Sequence, residues 1–382
     1  MKIIIDLSYT PSGGSLTHVL NTITELNLIN EIDLIIYSKK SNIELIKGVV
    51  KDDQVVLSSL ANISVITRVL WEQLLFPFYI KRENADILFC PGNIGPVYSP
   101  IKSIIWIGTI GPFFDDFYKN FRWLDKIKLY LNKFFMIACS RRANAVIFES
   151  KFTKDLFIHR YKIRENKSYV INIGFDNFFT NKENKTDNYN FSEDLINHKY
   201  LLCVSHLYPY KNIIRLLVAF QRVVNSFKQP LRLIIAGSRD YEQYNNKIEK
   251  CIDNLGIQNN VILLGKVSKK KLKFLYENSQ ILVFPSPFEN FAYTLVEAMS
   301  CGAPIVCSNT TAMPETCKNA AIYFDPYNID EITEKITLVL TNEKLRQEMI
   351  NKSIARSKEL PDYNNVTLQT LDIMKKLVSE HL

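Results

Sequence analysis

No run of about eighteen uninterrupted apolar residues occurs in the 382-residue chain, which removes a membrane-spanning helix from the available readings. The opening Met1-Lys2-Ile3-Ile4-Ile5-Asp6 meets an acid too soon for a signal peptide, so a cytoplasmic location is expected. Cysteines number seven, at 90, 139, 203, 251, 301, 307 and 317, with no C-x-x-C pair. An odd set falling mostly in apolar runs reads as reduced core thiols, with no zinc site and no other metal centre. No G-x-G-x-x-G follows a predicted strand, which counts against a dinucleotide-dependent dehydrogenase. Short internal repeats are also missing.

What is there alternates. In the first half, strands are expected at Lys2 to Ile5, Asp33 to Tyr37, Ala85 to Phe89, Ser103 to Ile107 and Ala145 to Phe148, with helices at Leu16 to Leu28 and Val69 to Lys81. The second half repeats the scheme near Leu201 to Val204, Leu231 to Ala236, Val261 to Leu264 and Ile281 to Phe284. Such alternation predicts an α/β fold. The length exceeds what one core usually organises, so two domains are expected. Phe178 to His198, rich in Asn, Lys, Asp and Thr, reads as a solvated linker. The resulting division is 1–180, a linker 181–199, 200–360, and a last amphipathic helix within 361–382.

The densest chemistry lies in Pro285 to Met299, where Glu289 and Glu297 stand eight residues apart as a predicted strand hands over to a helix beginning at Tyr293. In one continuous helix the two would be ~12 Å apart and ~80° out of register. With Glu289 in the loop and Glu297 in the helix, the loop can fold back so that both meet one ligand. The carboxyl ends of parallel strands open into a crevice, and a helix start there offers unpaired N–H groups to phosphate. Two carboxylates around such a point suit a molecule with hydroxyls at both ends and phosphate between, a nucleoside diphosphate sugar; the plain alternative is two solvated surface charges.

The segment Phe284 to Asn309 resembles the E-x7-E signature of retaining glycosyltransferases of family 4. It carries Pro285-Ser286, Glu289, Phe291, Val296-Glu297-Ala298-Met299 and Gly302-Ala303-Pro304, and departs at Asn290 and Ala292, usually glycines, and at Thr294, usually proline. Glycine reaches positive φ freely, asparagine tolerates it and alanine does not, so this loop is expected to be shaped differently. Ser205-His206-Leu207-Tyr208-Pro209-Tyr210-Lys211-Asn212 resembles the family's first nucleotide-domain loop. The resemblance implies that Lys211 compensates the diphosphate charge. His206 occupies a position where relatives often carry arginine, and near its reference pKa of ~6.5 it would be only partly cationic unless the diphosphate raises it. Pro314-Glu315 and Phe324-Asp325-Pro326 match as well.

The family implies the GT-B fold, two Rossmann-like doubly wound domains facing across a cleft, with the C-terminal helix crossing back to the first domain. It implies transfer of a sugar from its nucleotide diphosphate to a glycan or lipid-linked acceptor hydroxyl with retention, without cofactor or metal, and in the type resembled here the acceptor belongs to a bacterial surface polysaccharide such as lipopolysaccharide, O-antigen or capsule. Glu289 and Lys211 become the catalytic candidates; Ser205, His206, Asn290, Phe291, Ala292, Tyr293, Thr294 and Glu297 become donor-binding ones. No Asp-x-Asp stands at a strand end. In the first domain Gly13 and Gly14 match a phosphate or acceptor loop, with a plain turn as the alternative, and Gly111 marks a place where many relatives have His-Asp and this chain has none. Trp71-Glu72-Gln73 is similar to a helix start in relatives, where Glu72 would touch an acceptor or merely cap.

Charge is uneven. Residues 119–167 hold 13 Lys and Arg against 4 Asp and Glu, a net +9, when the whole chain is only +8. Interleaved aromatics let such a stretch lie on an anionic leaflet; an apolar stripe that is simply core, with lysines in water, is the rival, and nucleic acid, open on composition, is not adopted as a partner. A catalytically idle binding subunit of an assembly complex, or a GT-B sugar nucleotide epimerase, remains the alternative function.

Overall fold

The computed structural model describes residues 1–9, 14–58, 63, 65–119, 121–175, 177–180, 198–227 and 229–380. The chain divides into two compact units, one of 1–115, 122–174 and 361–382, the other of 116–121 and 175–360.

The first unit is built on β1 (Lys2–Leu7), β2 (Asp33–Ser38), β3 (Val55–Leu57), β4 (Ile87–Cys90), β5 (Lys102–Ile107), β6 (Ala145–Phe148) and β7 (Ser168–Val170). They form one sheet in the order β3-β2-β1-β4-β5-β6-β7, every neighbouring pair parallel. The second unit contains β8 (Lys199–Val204), β9 (Leu231–Ala236), β10 (Val261–Gly265), β11 (Ile281–Phe284), β12 (Ile305–Ser308) and β13 (Ala321–Phe324), in the order β10-β9-β8-β11-β12-β13. Central strands such as Ile-Leu-Val-Phe of β11 are buried along their whole length, as helices on both faces of a parallel sheet require. In each sheet the order reverses beside the first strand, between β1 and β4 and between β8 and β11, and a crevice opens at such a point.

The helix Tyr363–Ser379 belongs to the first unit and packs on the helix Gly14–Asn27, with Val366, Thr370, Leu371 and Met374 buried. Gly174 lets the chain pass close beneath it, since a Cβ there would lie 2.7 Å from the Tyr363 amide nitrogen.

Several elements differ from the sequence reading. The helix expected over Val69 to Lys81 runs as Val65–Leu70, a π-helical turn Trp71–Leu75, and Phe76–Arg82. The expected solvated stretch from Phe178 begins instead as a short helix, Asn177–Thr180, whose Phe179 is buried with its ring 6.1 Å from that of Tyr276. Residues 181–197 of that stretch lie outside the described residues.

Candidate active site

Two loops from the carboxyl ends of neighbouring strands build the site in the second unit. The first follows β8 and ends in the tight turn Pro209–Lys211 before the helix Ile213–Ser226. Asn212 joins turn to helix in the left-handed region, φ 62°, which an asparagine side chain tolerates. Its Nδ2 donates to the carbonyls of Pro285 (3.1 Å) and Pro326 (2.7 Å), while its Oδ1 accepts from Arg215 (2.8 Å). One amide thereby ties three loops.

The second loop, Pro285 to Ala292, carries Glu289 against Lys211, Nζ to Oε1 2.5 Å, with the side chains only 13% and 14% exposed. Burial, the largest single effect, pushes the Lys211 pKa down, but the Glu289 charge, the Tyr210 hydroxyl, the hydrogen bond to Glu289 and Cys203 together hold it above the ordinary lysine value. Lys211 is therefore a fixed cation; its Nζ also sits 5.0 Å from the Tyr210 ring centre. Phe117, of the segment 116–121, lies tilted with its ring centre 4.7 Å from that of Tyr210 and meets Phe288 edge-on.

At Ala292 the expectation of a reshaped loop fails. The residue adopts φ 62°, ψ 73° at the N-cap of the helix Tyr293–Ser300, keeping a glycine-like backbone without glycine. A left-handed alanine costs ~1–2 kcal/mol. Asn290, Phe291 and Ala292 are buried, whereas Tyr293 and Thr294 in the first helical turn are part-exposed. Glu297 lies one turn further along the same helix and accepts from the Tyr276 hydroxyl at 3.0 Å. Glu289 and Glu297 thus occupy loop and helix as expected, each on its own partner.

Ser205 and His206 follow β8 directly. Ser205 is buried, its hydroxyl donating to the His206 carbonyl, and His206 Nδ1 pairs with the Ser238 hydroxyl. Burial, with the Lys211 charge added, lowers the His206 pKa below its ordinary value and so favours the neutral imidazole. The loop after β9 passes close behind: a Cβ on Gly237, φ 154°, would fall 1.9 Å from the Ser205 carbonyl oxygen. Ser238 and Tyr276 escaped the sequence reading, and Asn212 stood in the first loop's motif without an assigned role. Only Gly237-Ser238 directly after a strand was a usable signal.

The first unit's residues are more dispersed. Gly13 lies outside the described residues, Gly14 opens the helix Gly14–Asn27, and Gly111 is buried in a tight turn, Gly111–Phe113. Just before Gly111, Asn93 Oδ1 accepts from the amides of Gly108 (2.6 Å) and Thr109 (2.9 Å). Glu72 neither caps a helix nor faces solvent: it is buried on the π-helical turn, accepts from the Ser8 hydroxyl at 2.6 Å, and has Arg68 Nε 3.3 Å from Oε1.

The basic helix Trp123–Arg142 resolves the question of its apolar stripe. Met136, Cys139 and Ser140 face the core. Trp123, Leu124, Ile127, Tyr130, Leu131 and Phe134 are exposed, and their spacing puts all six within an arc of ~120° on another side. Some of the local positive charge serves structure, with Lys167 Nζ capping the carbonyls of Arg141 and Ala143 and Arg160 bound to that of Phe113. Among the described residues no three His, Cys, Asp or Glu side chains converge as a metal site would need, and no helix is long and apolar enough to cross a membrane.

Residues 185–356 match the family described as Glycosyl transferases group 1, a span that takes in both site loops. That span, under half of the chain, is similar to a glycosyl transferases group 1 domain. The O-antigen chain mannosyltransferase B of Escherichia coli is 32% identical to it over 178 residues, 47% of this chain and 46% of that protein, so this chain spans less than half of that relative's length. The O-antigen chain mannosyltransferase RfbU of Salmonella typhimurium is 25% identical across 99% of both chains. The crystal structure of WaaG, a glycosyltransferase involved in lipopolysaccharide biosynthesis, superposes with TM-score 0.73 over 98% of this chain and 99% of its own at 13% identity. That likeness identifies the fold, GT-B, with two Rossmann-like units.

Proposed function

We propose that this chain is a retaining glycosyltransferase of family 4 that moves a mannosyl or related hexosyl group from a nucleotide diphosphate sugar to a hydroxyl of a glycan or lipid-linked O-antigen acceptor. The observation that carries it is the Lys211–Glu289 pair, a fixed cation and a carboxylate side by side where the β8 and β11 loops meet. The names of the relatives add the mannosyl and O-antigen part.

Lys211 meets the diphosphate and stabilises the charge that grows as the glycosidic C–O bond breaks. The amides opening the helix Tyr293–Ser300 add their dipoles to the same phosphates. Glu297 takes ribose hydroxyls. Glu289, released from Lys211 as the diphosphate takes its place, holds sugar hydroxyls and orients the ring. The diphosphate leaves with the bonding electrons, the acceptor oxygen bonds the anomeric carbon on the same face, and its proton passes to the departing phosphate oxygen. The step therefore asks for no second carboxylate, and the proposal assigns no metal or cofactor.

The exposed stripe of the helix Trp123–Arg142 completes the proposal as a contact with the inner face of the cell membrane. Six exposed apolar side chains flanked by Lys126 and Lys128 have the layout of an interfacial helix, and anionic lipid headgroups complement the local positive excess.

The test is turnover of UDP-, GDP-, dTDP- and ADP-linked sugars, mannose included, by the wild type and Glu289→Ala, with and without lipid-linked acceptor. Acceptor-dependent release of one nucleotide, lost in the variant, supports the proposal. Binding without turnover would indicate an idle binding subunit, and donor conversion without acceptor an epimerase. For the membrane face, sedimentation with phosphatidylglycerol vesicles should bring down the wild type and leave Phe134→Asp in solution.

A further inference from the structure

The loop that carries Glu289 has no secondary structure of its own, yet its alternate residues are held by hydroxyls from one neighbouring segment. Thr310 Oγ1 donates to the Pro287 carbonyl (2.9 Å), Thr311 Oγ1 accepts from the Glu289 amide (3.1 Å), and Thr316 Oγ1 donates to the Phe291 carbonyl (2.8 Å). The middle contact is the unusual one. Thr311 stands at φ 52°, a region that β-branched residues avoid, so local preference does not explain its conformation. Its hydroxyl hydrogen points to Met313 Sδ at 3.6 Å, leaving an oxygen lone pair for the Glu289 N–H. Both roles of the hydroxyl are used, and its rotation is fixed. Glycine would relax the backbone here but would leave the Glu289 amide without this acceptor.

We infer that Thr311 is a positioning residue: it fixes the backbone from which Glu289 reaches Lys211, at the expense of a backbone it does not favour. The inference rests on the proposed function for its catalytic consequence, though not for its structural one. A loop carboxylate that must exchange a lysine partner for sugar hydroxyls needs its main chain held, since small misplacements of a catalytic group cost orders of magnitude in rate.

Thr311→Gly, Thr311→Val and Thr311→Ser separate positioning from plain stability. The glycine variant should melt no lower than the wild type, because the strained backbone is relieved. Its Glu289 amide should nonetheless exchange hydrogen for deuterium at least tenfold faster, and kcat should fall about tenfold or more with donor KM within threefold. Thr311→Ser, which keeps the hydroxyl, should stay near wild type in both readouts, and Thr311→Val, which keeps the shape, should behave as glycine does. Unchanged exchange at Glu289 in the glycine variant overturns the inference whether or not the protein turns over a sugar nucleotide. Faster exchange with unchanged kcat overturns the positioning role alone, and failure of the wild type on every donor overturns the proposed function while the exchange result still decides what Thr311 holds.

Discussion

The two sheets share an order around their switch points, but the charge pairs at those points are built for opposite ends. In the second unit, Lys211 and Glu289 keep about an eighth of their side-chain surface exposed and sit on loops, where a ligand can replace one partner of the other. In the first, Glu72 is 3% exposed and Arg68 18%, on helical turns beside β1, with Asp6 also buried. Burial first, then the Asp6 charge, pushes the Glu72 pKa up to about 7, against smaller opposing effects of Arg68 and the Ser8 hydroxyl. The topology supplies the crevice in both units. The carboxylates differ most: Glu289 stands on a loop with 14% of its side chain exposed, Glu72 on a helical turn with 3%.

The comparison breaks most sharply at Lys211. Lys211→Met should reduce sugar transfer by about 10²–10³-fold, the loss typical when one stabilising group is removed from a developing anion. Residual activity within tenfold of wild type in steady-state assays would show that the diphosphate charge is met elsewhere. Arg68→Met, by contrast, should act mainly through stability.

The pH dependence of that stability sharpens the contrast. A carboxyl with its folded pKa raised to about 7 binds its proton more tightly folded than unfolded. Its contribution is fully present below the unfolded value near 4.5 and is lost as pH rises through 7. Glu72→Gln removes that dependence, so the fall in Tm between pH 5 and pH 8 should shrink by on the order of 5 °C relative to wild type, read by calorimetry. Equal slopes would mean that the proton resides on Asp6 instead.

The smallest effect concerns the loop itself. Ala292→Gly relieves a left-handed alanine at some cost in unfolded-chain entropy, and should raise Tm by about 2 °C. A drop in Tm would show that the Ala292 methyl contributes more by packing than its backbone loses.

Much of this was readable before any coordinates, and the reasons are local. Ile281 to Phe284 and Leu201 to Val204 are apolar runs that only a doubly covered strand needs, and Glu289 and Lys211 follow them directly. β3, β7, β12 and β13 were missed because three or four residues carry little period. The π-helical turn at Trp71–Leu75 has an ordinary helical sequence, and one inserted residue leaves no compositional mark. Thr311 was invisible for the opposite reason: β-branched residues argue against positive φ, and tertiary hydrogen bonds overrode that preference. Ala292 misled in the same way, since a residue that does not suit a backbone can still be held in it.

The return of the helix Tyr363–Ser379 to the first unit has a consequence for the order of events on the ribosome. The first unit's other residues are all made by Gly174, yet the helix that covers Gly14–Asn27 follows about 190 residues later. The second unit, apart from its early piece 116–121, emerges in that interval. Synthesised first, the first unit is the last to be complete, and until then the face of Gly14–Asn27 that this helix covers stays open to water while the second unit can already fold.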